Sequence, residues 1–204
     1  MQWPQIGRLM TVPGVNLIVA ATFLAAVGDI RRFPNTNKLV GYLGLDPRVR
    51  QSGDQPAKHG RISKQGSAHG RHALVEAPRS AVRQPCPLRA FYQRVRARRG
   101  HQIAIVASAR KLACLFWCML TRGEDYAYGQ PSLTTKKLRR LELTAGAPKY
   151  AKTARGTWTT NDTMRQAERE LARQAEASYK RLVQDQRAGA PARKVGTSAT
   201  PERA

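Results

Sequence analysis

The sequence IAIVASARKLACLFWCML, residues 103–120, is the longest apolar run of the chain and the stretch on which its fold class depends. Its 18 residues have the length of a membrane-spanning helix. Arg110 and Lys111 stand at its middle, however, where a bilayer would impose a cost of several kcal/mol. The run therefore predicts a helix in a protein core, and no membrane is expected as a partner.

Segments on the N-terminal side of this run carry further helix signals. The sequence NLIVAATFLAAV at residues 16–27 predicts a buried helix, and residues 34–44 predict a short one. Residues 68–83 and 87–99 then predict two more helices, the second with a spaced apolar stripe, directly before a helix over residues 101–121. The predicted fold class is mainly α.

Between the second and third of these helices lies a polar stretch, Asp46 to Gly66. It contains two prolines and several glycines, and its isolated apolar residues are Val49 and Ile62. Such a pattern is typical of a hairpin or a long functional loop. We expect a short β or loop insertion within the helical domain.

Charge and composition divide the chain near residue 127. Residues 1–127 hold 20 basic and 6 acidic residues and nearly all large apolar clusters, whereas residues 128–204 hold 16 basic and 7 acidic residues. The second part is predicted to be a basic, largely disordered tail with one helix near residues 163–185, and disorder from Ala188 onward. Its removal should then leave the melting transition of the first part nearly unchanged.

The formal net charge is +23 and the isoelectric point is about 11.2. This excess predicts a polyanionic partner, DNA or RNA, and argues against a metabolic enzyme for small neutral substrates. An odd number of cysteines, three, argues against a secreted disulfide scaffold, and the N-terminus lacks the pattern of a signal peptide. A cytoplasmic, nucleoid-associated protein is expected.

The turn sequence VPGVN, residues 12–16, precedes the first long apolar helix. Gly14, Val15 and Asn16 resemble the hairpin of a helix-hairpin-helix element, in which backbone N–H groups and the helix N-terminus face a phosphate. The usual form has glycine where Asn16 stands. The alternative interpretation is an ordinary turn between two core helices.

Ser52 lies between arginines and a glycine in the sequence RVRQSG. Cations near a serine hydroxyl favour phosphoryl chemistry, because they stabilise the alkoxide and the charge that develops at phosphorus. Arg48, Arg50, Arg61 and Lys64 are the candidate phosphate contacts. A serine before glycine is, by itself, most often a simple turn residue, so both interpretations stay open at this stage.

Other residues give weaker signals for chemistry. Cys114 and Cys118 stand four positions apart without further ligands at metal-binding spacing, and the few carboxylates of residues 1–127 are not clustered. No metal site and no cofactor are therefore predicted within this chain.

Five motifs follow one another in residues 7–127: VPGVN, AAVGDIRRFPNTNKLVGYLGLDPRVRQSG, HGRISKQGS, LRAFYQRVRARRG and IAIVASARKLACLFWCMLTRGEDY. Their order and intervals closely resemble the C-terminal half of transposases of the insertion-sequence-110 family, grouped with insertion sequences 116 and 902. The resemblance implies an N-terminal RuvC-like half with an Asp/Glu cluster that uses Mg²⁺, and a C-terminal half whose serine forms a covalent link to DNA.

The resemblance assigns the serine of the family's xSG motif to Ser52, and Ser63 in the RISKxG segment is the competing position. It also implies homo-oligomers and, for some members, a guide RNA. No residues before Met1 supply the RuvC-like half, so a truncated chain that is inactive alone is expected. Pro78 stands where the family has a helix former, inside the predicted helix 68–83.

The expected function is DNA transposition or site-specific recombination, with the chain as the DNA-binding, serine-bearing half. The alternative is a non-catalytic basic nucleic-acid-binding protein, and a third is an RNA-associated basic protein. Whether Ser52 ever forms a bond to DNA separates the first from the other two.

Overall fold

A computed structural model describes residues 3–54, 56–148 and 156–188. Its elements confirm the mainly α prediction. In chain order they are α1 (Pro4–Met10), α2 (Leu17–Val27), a 3₁₀ turn (Ile30–Arg32), α3 (Thr36–Tyr42), β1 (Pro47–Arg50), β2 (Lys58–Ile62), α4 (Ala68–Ala81), α5 (Pro87–Arg99), α6 (His101–Arg122), α7 (Pro131–Thr144) and α8 (Gly156–Ala188).

The apolar run that predicted a core helix forms α6, which packs against α1, α3, α4 and α5. Leu112, Ala113 and Phe116 are fully buried, and the Phe116 ring meets Phe23 of α2 edge-on with centroids 4.9 Å apart. By length and composition alone α6 would also suffice to cross a membrane. Its burial among the other helices supports the core prediction instead. The helix ends at Gly123, whose left-handed backbone donates its N–H to the carbonyl of Met119.

Short polar side chains define where three helices begin. Asn16 accepts a hydrogen bond from Val19 N at 2.9 Å, Asn35 accepts one from Lys38 N at 3.0 Å, and Ser67 accepts one from Gly70 N at 3.2 Å. Each bond satisfies an amide that would otherwise lack an intrahelical partner. These caps place the starts of α2, α3 and α4 close to their predicted positions.

The predicted insertion is an antiparallel hairpin of β1 and β2. Pro47 pairs with Ile62, Val49 with His59, and Arg50 with Lys58. Between the first two pairs the register shifts, so that Gly60 and Arg61 together oppose Arg48 in a bulge. These are the only strands among the described residues.

The C-terminal region holds more helix than the sequence predicted. The helix expected near residues 163–185 is the middle of the longer α8, and α7 is an addition. Disorder was predicted from Ala188 onward, and residues 189–204 lie outside the described part of the chain. The division of the chain at residue 127 stays a prediction.

Both C-terminal helices are held by polar contacts to buried backbone. Lys137 of α7 donates its ammonium to the carbonyls of Met10, at 2.7 Å, and Val12, at 2.9 Å, and burial lowers the pKa of Lys137 to about 8. Leu138 and Leu141 of α7 pack on the main core. Hydropathy alone does not predict this docking, because much of its stabilisation comes from a charged side chain that binds carbonyls at the end of another helix.

Two carboxylates of α8 bind at the starts of other helices. Glu168 accepts the N–H of Ser132 at 3.0 Å, at the start of α7, and Glu176 accepts the N–H of Cys86 at 3.3 Å, at the start of α5. Ala172, between them on the same face, is buried. We therefore expect removal of residues 128–204 to destabilise the rest, contrary to the expectation from the sequence.

The predicted helix with an internal proline is also observed. α4 runs through Pro78 to Ala81, and the Pro78 ring is buried. The turn that precedes α2 packs on this end of α4: a Cβ added to Gly14 would lie 2.4 Å from Ala81 N and 2.7 Å from the Ala77 carbonyl oxygen. Only glycine allows so close an approach of the two backbones.

Gly14→Ala should lower the free energy of unfolding by about 3 kcal/mol or more, because it combines a clash with backbone atoms and a positive φ of 81°. Gly123→Ala is the matched control, since Gly123 has a left-handed backbone with a φ of 73° and open space around its Cβ position. It should cost only about 1–2 kcal/mol. Urea denaturation of both variants measures the difference, and equal losses would show that the α4 contact is not tight.

Candidate nucleic-acid interface

The hairpin of β1 and β2 presents most of its side chains to solvent. Arg48, Val49 and Arg50 are exposed on the first strand, and Arg61 is exposed on the second. Strands with two exposed faces gain little from apolar burial, so the hairpin must be held at its base.

Ser63 and Asp46 close the base of the hairpin. The Ser63 N–H donates to the Asp46 carbonyl at 2.8 Å, and the Ser63 hydroxyl donates to the Asp46 carboxylate at 2.5 Å. The Arg48 guanidinium donates to the Ser63 carbonyl at 3.1 Å. Ser63 itself is 7% exposed. Its hydroxyl is thus engaged in a structural contact rather than directed at solvent.

A second set of contacts joins the hairpin base to α3 and α4. The Lys64 N–H donates to the Gly44 carbonyl at 3.1 Å, and Arg71 donates to the carbonyls of Leu43, at 3.1 Å, and Lys64, at 3.3 Å. Lys64 has a φ of 56°, an uncommon conformation for a residue with a side chain. This strained backbone directs the chain from β2 into α4 while the Lys64 side chain stays exposed.

Ser52 lies beyond the end of β1, in the exposed connection of the hairpin. Gly53, which follows it, has a φ of 52° and open space at its Cβ position. Within the described part of the chain the Ser52 hydroxyl has no hydrogen-bond partner. Of the two candidate serines, Ser52 is therefore the accessible one and Ser63 the buried one.

The pairing of β1 with β2 places cationic side chains next to one another across the two strands. Arg50 pairs directly with Lys58, and the bulge places Arg61 opposite Arg48. Four cations are thus distributed over one short hairpin that leads to Ser52. Lys58 was not among the predicted phosphate contacts. Only the cross-strand register identifies it as a neighbour of Arg50, and the bulge makes that register hard to derive from the sequence.

The three residues of the VPGVN turn that were predicted to contact phosphate have different environments in the structure. Val15 is fully buried and its N–H donates to the Val12 carbonyl at 3.2 Å, so Val15 is better assigned to the core than to a nucleic-acid contact. Gly14 packs on α4, while Asn16 is exposed and caps α2 with a φ of −107°. Asn16 therefore does not substitute for a glycine of positive φ, and the helix-hairpin-helix interpretation stays a prediction.

Potential metal ligands are dispersed in the described residues. No three of the side chains of His, Cys, Asp and Glu in that part of the chain are grouped as a metal site would require. Cys86, Cys114 and Cys118 are free thiols, and burial raises the pKa of the Cys86 thiol. The reactive and charged groups of the hairpin are therefore the accessible Ser52 hydroxyl and the neighbouring cations.

Ser63→Ala should lower the free energy of unfolding by about 1–3 kcal/mol, because the buried Asp46 contact loses its donor. Ser52→Ala, the matched control at the exposed hydroxyl, should change it by less than about 0.5 kcal/mol. Urea denaturation followed by circular dichroism compares the two. A larger loss for Ser52→Ala would contradict the assignment of Ser63 to the structural contact.

Comparison with known proteins agrees with the resemblance of the motifs. Residues 7–93 match the model of the transposase IS116/IS110/IS902 family. The chain is 35% identical over 130 residues to the transposase for insertion sequence element IS1111A of Coxiella burnetii, an alignment that covers 60% of this chain and 34% of the relative. It is 33% identical over 129 residues to a probable family 20 transposase of Pseudomonas aeruginosa, with 61% and 38% covered.

A third relative is the uncharacterized 42 kDa protein of insertion element IS900 of Mycobacterium paratuberculosis, 33% identical over 135 residues, with 62% of this chain and 31% of the relative covered. The chain thus spans about a third of the length of these relatives. The matched segment runs from within α1 to within α5, and it contains α2, α3, α4 and the whole hairpin with Ser52 and Ser63. Residues 7–93 are thus similar to a segment of transposases of the IS116/IS110/IS902 family.

Proposed function

We propose that this chain acts in DNA transposition and site-specific recombination as the DNA-binding part that supplies a serine nucleophile, Ser52. The observation that carries the proposal is the exposed Ser52 hydroxyl at the end of a cationic hairpin, within the segment similar to transposases. Arg48, Arg50 and Arg61 hold the phosphate backbone, and Lys64 adds a cation at the hairpin base.

The proposed step is a phosphoryl transfer to serine. The Ser52 Oγ forms a bond to phosphorus, and the bond from phosphorus to one sugar oxygen breaks, with the electron pair leaving on that oxygen. A base takes the serine proton, and a proton is returned to the leaving oxygen. The guanidinium groups stabilise the additional negative charge on the phosphoryl oxygens in the transition state.

A serine hydroxyl is a weak nucleophile at neutral pH unless a base or a metal ion activates it. The hairpin supplies cations but no cluster of carboxylates, so we assign activation to a RuvC-like part of the intact transposase, whose Mg²⁺ would supply it. In this proposal the chain alone does not carry out the phosphoryl transfer. The active complex is a homo-oligomer bound to DNA, with a guide RNA in some members of the family that it resembles. The cytoplasm, next to the nucleoid, is the proposed location.

A second candidate function is non-catalytic binding of nucleic acids. It is favoured by the net charge of +23 and by the dispersed carboxylates of the described residues. Both functions require charge-driven binding, and only the first requires a covalent bond at Ser52. Two experiments therefore test the binding and the chemistry separately.

The binding experiment measures the salt dependence of affinity for duplex DNA. On a plot of log K against log salt, each phosphate contact contributes a slope of about −0.9. Arg50→Gln combined with Lys58→Gln should therefore make the slope shallower by about 1.8. Arg173→Gln, which removes an exposed α8 cation already paired with Glu170, is the control and should leave the slope unchanged. An unchanged slope in the double variant would exclude the hairpin as the DNA contact.

The chemical experiment looks for a protein–DNA adduct that survives denaturation. The chain is mixed with a RuvC-like half of a related transposase, any guide RNA that half requires, and the matching DNA. Ser52→Ala should abolish the adduct and leave duplex affinity within about twofold, because the hydroxyl contributes little to charge-driven binding.

Ser63→Ala should retain part of the adduct, since Ser63 supports the hairpin without reacting. An adduct that persists in Ser52→Ala but disappears in Ser63→Ala would assign the chemistry to the other serine. No adduct from the unmutated chain, where an intact relative forms one, would favour the non-catalytic function.

A further inference from the structure

An apolar cavity of about 300 Å³ lies away from the hairpin, between α5, α6, α8 and the segment that follows α6. Its volume is at the lower limit for small-ligand sites, large enough for one flat ring system and too small for a helix. No acidic residue lines it. The sequence motifs and the proposed transposase chemistry leave this cavity without a role.

Aromatic rings are concentrated in its wall. Four of the ten lining residues are aromatic, in a chain with only 13 aromatic residues among 204. They are Phe91 of α5, Tyr179 of α8, and Tyr126 and Tyr128, whose rings meet edge-on with centroids 5.8 Å apart. Tyr128 is half exposed, so one ring at the cavity mouth is accessible from solvent. Such a wall favours the face or edge of another planar ring.

Two cations stand beside these rings. The Arg94 guanidinium lies 5.3 Å from the centroid of Phe91 and 6.0 Å from that of Tyr179, and its buried Nε has no hydrogen-bond partner. The exposed Lys111 lines the cavity itself. Within the described residues neither cation has a carboxylate partner. The charge next to the cavity is therefore available to an anion.

We propose that this cavity binds an unstacked base of single-stranded nucleic acid. The base packs against the aromatic wall, and the adjoining phosphates bind Arg94 and Lys111. Since the wall offers few hydrogen-bond partners for base edges, binding depends on stacking and is tolerant of sequence. The site is separate from the hairpin and does not require Ser52 to react.

The first test compares two oligonucleotides of equal length and charge, an oligothymidylate and its abasic analogue. The full chain should bind the oligothymidylate about 5- to 150-fold more tightly, since stacking of one base accounts for a factor of that size. Tyr128→Ala should bring the ratio of the two affinities close to one, whereas Tyr128→Phe should retain it. Affinity for the abasic strand should stay unchanged in both variants.

The control for a general effect of aromatic residues is Trp3→Ala, at an exposed ring before α1. This variant should keep the full ratio. A ratio of one in the unmutated chain, or an equal loss in Trp3→Ala and Tyr128→Ala, would overturn the proposal. Either result is independent of the duplex salt slope and the Ser52 adduct, which test the hairpin.

The second test identifies the site directly by photo-crosslinking with an oligonucleotide that carries a single 5-iododeoxyuridine. The crosslinked peptide should contain Tyr126, Tyr128 or Phe91, and an excess of unlabelled oligothymidylate should suppress it while the abasic strand should not. Crosslinks confined to other peptides would show that the oligonucleotide binds elsewhere on the protein and would overturn the proposal.

Discussion

The α6 helix presents Leu112, Ala113 and Phe116 to neighbours on several sides, and its burial is the constraint to which the other elements conform. A helix this apolar must be covered, because each fully buried large side chain contributes about 1.5–3 kcal/mol to stability relative to exposure. The helices α1, α3, α4 and α5 provide the cover. One of them, α4, is in turn held by the turn before α2, where the Gly14 backbone packs closely on its end.

Unlike this core, the hairpin buries few apolar side chains, because most side chains of its two strands are exposed to water. Its stability comes from a few polar contacts at the base: Ser63 with Asp46, Arg48 with the Ser63 carbonyl, and Arg71 with the carbonyls before α4. Such an arrangement holds the ends of the hairpin firmly and leaves the side chains of Arg50 and Arg61 exposed to a ligand. Arg48 takes part in both roles, because its guanidinium also binds the Ser63 carbonyl.

Much of the fold followed from local signals in the sequence. The helices α2, α3, α4 and α6 lie close to the bounds predicted for them, residues 16–27, 34–44, 68–83 and 101–121. The accessibility of Ser52 and the burial of Ser63 did not follow, because both serines lie in similar polar, basic surroundings in the sequence. Only the fold distinguishes them, through a contact between residues 46 and 63.

The docking of α7 and α8 was missed for a related reason. Their apolar stripes are narrow, and the contacts that hold them join side chains to backbone atoms far away in sequence, as Lys137 does with Met10 and Val12. The periodicity of apolar residues in a sequence reveals the apolar face of a helix. It does not reveal that a charged side chain of that helix will bind the end of another helix. The proposed cavity depends on the same docking, since α8 supplies Tyr179.

The two carboxylates of α8 also determine the alignment of that helix along its neighbours. Glu168 and Glu176 are eight residues apart, about 12 Å along the axis, which matches the spacing of the two helix starts that they bind. A slide of α8 by four residues would put Ala172 where Glu168 binds Ser132 and Lys180 where Glu176 binds Cys86. A methyl group and a cation would then face amides that need an acceptor. The long helix therefore has one favourable register, although its apolar stripe alone would permit several.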